Sequence, residues 1–137
     1  MMRYAFVALI YFVATIMIGV SGALAESVAV KVGRKEAQHL AGRAVWNNAR
    51  ADVRYLDFQP GMAEPFITFQ GVSPRSTFGY YAVNPWTGDV WALGSCHKMT
   101  TPALSKAQEA IHRRFTAEED RDYARLRDIK PWCISGD

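Results

Sequence analysis

Cys96 and His97 are adjacent, and a thiol beside an imidazole is a pairing used in nucleophilic catalysis. Adjacent side chains of an extended segment point to opposite faces, however, so His97 is poorly placed to act as a base for its own neighbour. The remaining enzymatic hypothesis is a small hydrolase in which His97 works with Asp89. The sequence has no G-x-S-x-G motif and no glycine-rich phosphate loop. It therefore favours a protein that is not an enzyme.

Cys96 and Cys133 are the two cysteines of the chain. Exported proteins meet an oxidising environment, and residues 1–25 have the features of an export signal, as described below. We therefore predict a Cys96–Cys133 disulfide, whose loop-closure entropy is worth about 4 kcal/mol. The bond would hold the last residues of the chain against the end of the preceding hairpin.

The other titratable residues have structural explanations. His39, His97 and His112 lack the short spacings of a zinc site, so we predict neither a metal nor a cofactor. The acidic run at 118–122 begins a predicted helix, where carboxylates are favoured by the helix dipole. Nearby arginines can pair with it, which indicates a solvated helix rather than the two carboxylates of a glycosidase.

The most distinctive stretch is the hairpin at 80–98, where N-P-W-T-G connects two strands. Asn84 and Pro85 suit the first positions of a type I turn, and Gly88 supplies a positive φ. Turn geometry does not require Trp86. It either folds back over its own hairpin or is an exposed anchor at a tip where no core is expected, and aromatic anchors are frequent in binding hot spots. The predicted binding residues are Trp86, Trp91, Tyr80, Arg75 and Lys98.

The elements around this hairpin indicate an α+β fold. Alternation predicts a short edge strand at 27–32, and helical spacing then predicts an amphipathic helix from residue 33 to about 47–51. Further strands are predicted at 53–58, 66–69, 78–83 and 89–93, with a loop at 71–76. They would form a three- to four-stranded antiparallel sheet against that helix, with the hairpin strands presenting one face to it.

The C-terminal part of the chain predicts one or two helices. Thr101 and Pro102 form an N-cap followed by proline at the first helical position. Thr116 and Glu119 form a capping box, so a second helix or a kinked continuation begins there. Pro131 is expected to end it.

Residues 1–25 resemble a signal peptide. Arg3 precedes an apolar run at 4–20, and Ala23-Leu24-Ala25 is a small-x-small cleavage pattern. Cleavage after Ala25 would leave 112 residues (137 − 25), a single domain at 26–137 located in the periplasm or secreted. The alternative is an uncleaved membrane anchor. Without Arg3, 15 basic and 13 acidic residues give a net charge of about +2, and their interleaving argues against a nucleic-acid partner.

Residues 30–93 resemble a PepSY-type domain. The resemblance rests on Glu36-Ala37 and Ala41 in the first helix and on Y-A-V-N-P-W-T-G-D-V at 81–90. Asn84 departs from the family, which commonly has Asp there, and a disulfide-linked helical tail at 94–137 follows the hairpin. The resemblance implies a non-enzymatic, exported module that inhibits or regulates peptidases. The general plan also resembles small periplasmic inhibitor and immunity proteins.

These observations predict an exported protein that binds and inhibits an envelope peptidase or a cell-wall hydrolase. Two alternatives stay open. One is a structural envelope protein that binds peptidoglycan or lipid, and the other is the small hydrolase with His97 and Asp89.

Overall fold

The computed structural model describes residues 28–46, 53–74 and 77–134, which form three helices and a five-stranded antiparallel sheet. The predicted α+β fold class is confirmed, but the sheet has five strands instead of the predicted three or four, because His97–Lys98 pairs as an additional short strand. The predicted signal segment, Arg75 and the predicted end of the first helix at 47–51 lie outside the described residues. The elements in chain order are α1 Arg34–Trp46, β1 Tyr55–Gln59, β2 Ile67–Val72, β3 Thr77–Val83, β4 Val90–Ala92, β5 His97–Lys98, α2 Pro102–His112 and α3 Asp120–Arg127.

The strands are arranged in the sheet in the same order as in the chain, and each antiparallel pair joins sequence neighbours. Ala82 lies opposite Trp91, which in turn lies opposite Lys98. Because side chains alternate across a strand, the sheet has two distinct faces. We call the side that packs on α1 and α2 the helix face, and the opposite side the outer face. The outer face of β3–β5 carries Tyr80, Ala82, Trp91, Leu93 and Lys98.

The main core lies between the helix face and the two helices. Leu40 from α1 and Leu104 and Ile111 from α2 are buried against Phe69 and Val90 of the sheet. Truncating a buried residue of this size to Ala typically costs about 2–5 kcal/mol. The structure therefore shows which side of the predicted hairpin packs on the helices. Val83 and Val90 face the helices, whereas Tyr80 and Trp91 do not.

The helix starts follow the predicted capping residues. Thr101 Oγ1 accepts a hydrogen bond of 3.1 Å from the Leu104 amide at the start of α2. The capping box before α3 is reciprocal: the Glu119 amide donates to Thr116 Oγ1 at 3.2 Å, and the Thr116 amide donates to Glu119 Oε2 at 2.9 Å. The cap of α2 is confirmed. The Thr116–Glu119 bonds are present as predicted, but they close a turn that precedes α3, whose own N-cap Glu119 has no side-chain capping bond.

Three local predictions were wrong. The described part of the predicted edge strand, residues 28–32, is not a strand, because the amides of Lys31 and Val32 both donate to the Pro85 carbonyl instead of joining a ladder. The predicted loop at 71–76 starts too early, since β2 continues through Val72 past an irregularity in its pairing with β3. Finally, α3 ends at Arg127, before Pro131.

No helix among the described residues combines the length and the apolarity needed to cross a bilayer.

Candidate functional site

The Asn84–Asp89 loop between β3 and β4 is held by several hydrogen bonds, both within the loop and to other elements. Asn84 Oδ1 accepts hydrogen bonds from the amides of Trp86 at 2.9 Å and Thr87 at 3.1 Å, and the Gly88 amide donates to the Asn84 carbonyl at 2.9 Å. The predicted positive φ of Gly88 is confirmed at 75°. Asn84 Nδ2 donates to the Leu126 carbonyl at 2.8 Å. The loop is therefore bonded both internally and to α3.

Trp86 is half-buried rather than projecting into solvent. Its indole nitrogen donates to the Val28 carbonyl at 2.9 Å, and its neighbours Asn84 and Thr87 have no exposed surface. The expectation that no core surrounds the tip was wrong, because the segment before α1 and both C-terminal helices pack around it. Trp86 therefore holds the N-terminal segment of the described chain against the hairpin.

Asp89 is a buried carboxylate with three partners. It accepts a hydrogen bond from Thr87 Oγ1 at 2.8 Å, and Arg127 Nε and Lys98 Nζ lie 3.4 Å and 3.6 Å from its Oδ2. A buried charge needs such compensation, since its desolvation costs several kcal/mol. Within the described residues no hydrogen bond or ion pair joins Asp89 to His97. The Asp89 carboxylate thus binds β4 to β5 and α3.

The outer face brings three of the predicted binding residues together. Lys98 Nζ lies 5.4 Å from the centroid of the Trp91 ring, and the Tyr80 hydroxyl accepts a hydrogen bond of 3.1 Å from Gln70. Trp91 is only 7% exposed, beneath Ile129 and the half-buried Tyr80. Trp86 lies apart from this group, at the end of the hairpin. Binding by these residues stays a prediction.

A disulfide joins Cys96 to Cys133, with their Cα atoms 5.5 Å apart, as predicted. The Ile134 amide donates to the Leu93 carbonyl at 3.1 Å, so the tail lies against the end of β4. Trp132 is 63% exposed. It therefore does not share a core with the hairpin.

Two ion pairs connect the N-terminal part of the described chain to the α2–α3 connection. Lys31 Nζ lies 2.7 Å from Glu119 Oε2, and Arg114 Nη1 donates to Glu36 Oε2 at 2.8 Å. The hydrogen bond from Arg114 lowers the pKa of Glu36 below its ordinary value of 4.5, and the bond from Lys31 does the same for Glu119. Both pairs thus stabilise the fold only while the carboxylates are ionised.

His112, the last residue of α2, contacts α3. Its ring stacks on Tyr123, with centroids 3.5 Å apart, and its Nε2 lies 2.6 Å from Asp120 Oδ1. Burial raises the pKa of Tyr123. No group of three or more potential His, Cys, Asp or Glu metal ligands occurs in the described part of the chain. The surroundings of His112 explain it as a contact between helices.

The fold is similar to that of a chain in a solved protein complex. That protein is a chain in the structure of a type VI secretion system effector–immunity complex from Pseudomonas protegens, with a TM-score of 0.52 and 20% sequence identity. The similarity covers 72% of this chain and 91% of that chain. At this sequence identity, the similarity shows a shared fold and nothing more specific.

No protein-family model matches the chain, so the resemblance to PepSY-type domains finds no support there. No curated protein matches it either.

Sequence reasoning missed the non-local partners of the hairpin and the exposed tail. Asn84 was noted only as a turn residue and a departure from the PepSY pattern, although its amide also bonds α3. No local pattern identifies Val28 as the acceptor for Trp86, 58 positions away.

Proposed function

We propose that this protein is an exported, non-enzymatic inhibitor of the immunity type, which binds an envelope peptidase or cell-wall hydrolase and blocks it. The observation that carries the proposal is the fold similarity to a chain of an effector–immunity complex, which extends over 91% of that chain. The same class of protein is indicated by the sequence, from its size, its predicted signal segment and its single pair of cysteines.

The state of the candidate catalytic groups supports a binding function. The sulfur of Cys96 is bonded to that of Cys133, so it is not a nucleophile in this form. The carboxylate of Asp89 is 3% exposed and lies among Thr87, Lys98 and Arg127, where it neutralises two cations. Such a carboxylate is better suited to joining secondary-structure elements than to activating His97.

Export is part of the proposal and has its own support. Cys96 and Cys133, 37 positions apart, form a disulfide. Disulfides are typical of proteins that fold in an oxidising compartment. Expression in a host with an intact secretion pathway, followed by mass measurement, tests the predicted cleavage after Ala25. A mature chain that begins at Glu26 supports export by signal cleavage, whereas an uncleaved, membrane-bound chain contradicts it.

The inhibition experiment takes as the candidate target a secreted hydrolase encoded by an adjacent gene, where sequencing of the neighbouring genes identifies one. Its hydrolysis of purified sacculi, followed by the loss of turbidity, is titrated with the disulfide-bonded protein. An inhibitor of the immunity type abolishes the activity at a stoichiometry of about one to one, because such complexes are tight. The variant Tyr80→Ala in the same assay tests the predicted contribution of the outer face.

Three results would contradict the proposal. Undiminished activity at a tenfold excess of the protein argues against inhibition of this target. Hydrolysis of sacculi by the protein alone would indicate an enzyme. Sedimentation of the protein with sacculi in the absence of any target would indicate the structural alternative.

A further inference from the structure

A basic cleft lies between α1 and α2, on the side of the molecule opposite the outer face. Its volume is about 480 Å³, and its lining consists of three cationic residues and three alanines: Arg43, Ala103, Lys106, Ala107, Ala110 and Arg113. Ala103, Lys106, Ala110 and Arg113 recur at intervals of three and four residues along α2. They therefore form one stripe on the helix, opposite Arg43 of α1.

Some cations of the described chain are paired with carboxylates, whereas others, including the two on the α2 stripe, are not. Lys31, Arg114 and Arg125 each form an ion pair with a carboxylate. Lys106 and Arg113 are exposed and have no ion pair among the described residues. Glu109 lies between them in sequence, but it lines the neighbouring cavity that contains His112. Among the described residues, no carboxylate lines the basic cleft itself.

We propose that the basic cleft binds an acidic segment of the inhibited protein. The inference rests on the proposed function and adds a second candidate contact surface to the predicted outer face. A cleft with cations at its edges favours carboxylates by charge complementarity. The alanines between those cations leave room for a backbone to approach α2 closely, so that Lys106 and Arg113 can each reach a carboxylate.

The binding test uses an acetylated octapeptide of alternating Glu and Asp as the probe. The disulfide-bonded protein is labelled with ¹⁵N and titrated with this peptide, and a neutral Gly-Ser octapeptide is the blank. The amides of residues 103–113 are expected to shift, with an affinity that falls as salt is added.

A matched pair of variants separates a specific cleft from a general effect of net charge. Lys106→Glu/Arg113→Glu changes the charge by −4 and is expected to weaken peptide binding about tenfold. Arg121→Glu/Lys130→Glu makes the same change at two exposed positions on and after α3, and is expected to weaken it less than about twofold. All four positions are exposed, so circular dichroism should show both variants folded.

Equal losses in the two variants, or shifts confined to residues outside α1 and α2, would overturn the proposal. So would tighter binding of the same amides to a DNA duplex or to phosphatidylglycerol vesicles than to the peptide, since these would indicate a phosphate-bearing partner.

The inhibition assay separates this inference from the proposed function. If Lys106→Glu/Arg113→Glu inhibits the hydrolase as well as the unmodified protein does, the cleft is not part of the interface and the proposed function stands. If the unmodified protein inhibits no hydrolase while the peptide binds specifically in the cleft, the proposed function fails and the cleft retains its preference for acidic chains.

Discussion

The side-chain amide of Asn84 donates a 2.8 Å hydrogen bond to the main-chain carbonyl of Leu126, 42 positions further along the chain. The same side chain closes the β3–β4 loop through its oxygen, which accepts from two amides. One buried residue thus fixes the shape of the hairpin and attaches α3 to it. An aspartate could perform the first task but not the second, because an ionised carboxylate has no hydrogen to donate.

Asn84→Asp is therefore expected to destabilise the protein by about 1–3 kcal/mol, since it leaves a buried carbonyl unpaired and places a charge beside it. The midpoint of urea unfolding measures the loss. Gln38→Glu is the matched control, because Gln38 also donates to a main-chain carbonyl, that of Leu56, but is exposed. Equal losses in the two variants would show that the burial of Asn84 has no special importance.

Gly88→Ala is expected to cost about 2–4 kcal/mol. Its φ of 75° is unfavourable for alanine, and an added Cβ would lie 2.6 Å from Ile111 Cδ1. Gly61 has a φ of 76° with no atom near the position of a Cβ, so Gly61→Ala isolates the backbone cost. Ile111→Val removes the clashing methyl and should make the Gly88→Ala change less costly. Identical losses for Gly88→Ala and Gly61→Ala would exclude the packing contribution.

The protein is expected to lose stability in acid, through Glu36 and Glu119. Because their pKa values are lowered in the folded protein, each contributes stability above its ordinary value of 4.5, and this contribution is lost as the pH falls through the folded pKa. Urea unfolding at pH 7 and pH 3 should therefore show a smaller difference for Glu36→Gln/Glu119→Gln than for the unmodified protein. Gln at position 119 preserves the capping box.

The control for that comparison is Glu118→Gln, since Glu118 is exposed and has no ion pair within the described residues. It should leave the dependence on pH unchanged. If it reduces the acid sensitivity as much as the double variant does, the two ion pairs are not its cause.

Replacing Cys96 and Cys133 by serine is expected to reduce the free energy of unfolding by about 4 kcal/mol, as the entropy of closing a loop of this length implies. The tail should become sensitive to proteases near Trp132, since the Ile134 amide is then the main remaining bond of the tail to β4. A tail that resists cleavage in the variant as well as in the parent would show that packing alone holds it.

Local patterns in the sequence predicted the parts of the fold that depend on neighbouring residues. The buried stripe of α1, the caps at Thr101 and Thr116, and the positive φ of Gly88 each follow from residues within a few positions of one another. The disulfide was predictable because only one pairing of two cysteines exists.

The candidate site was less predictable, because its contacts join distant parts of the chain. The sequence left Trp86 either folded over its own hairpin or exposed as an anchor, since nothing near it indicates that the segment containing Val28 returns to contact it. Asp89 likewise has partners on β5 and α3, at Lys98 and Arg127. The basic cleft is formed by two helices about 60 positions apart, so neither helix alone indicates it.

The order of the strands favours formation of the sheet before the long-range contacts. Each strand pairs with its sequence neighbour, so the sheet can form through the closure of short loops, which is entropically inexpensive and fast. The contacts between Lys31 and Glu119 and between Glu36 and Arg114 instead span 88 and 78 residues. These two contacts should therefore form after the sheet, so breaking them should mainly accelerate unfolding.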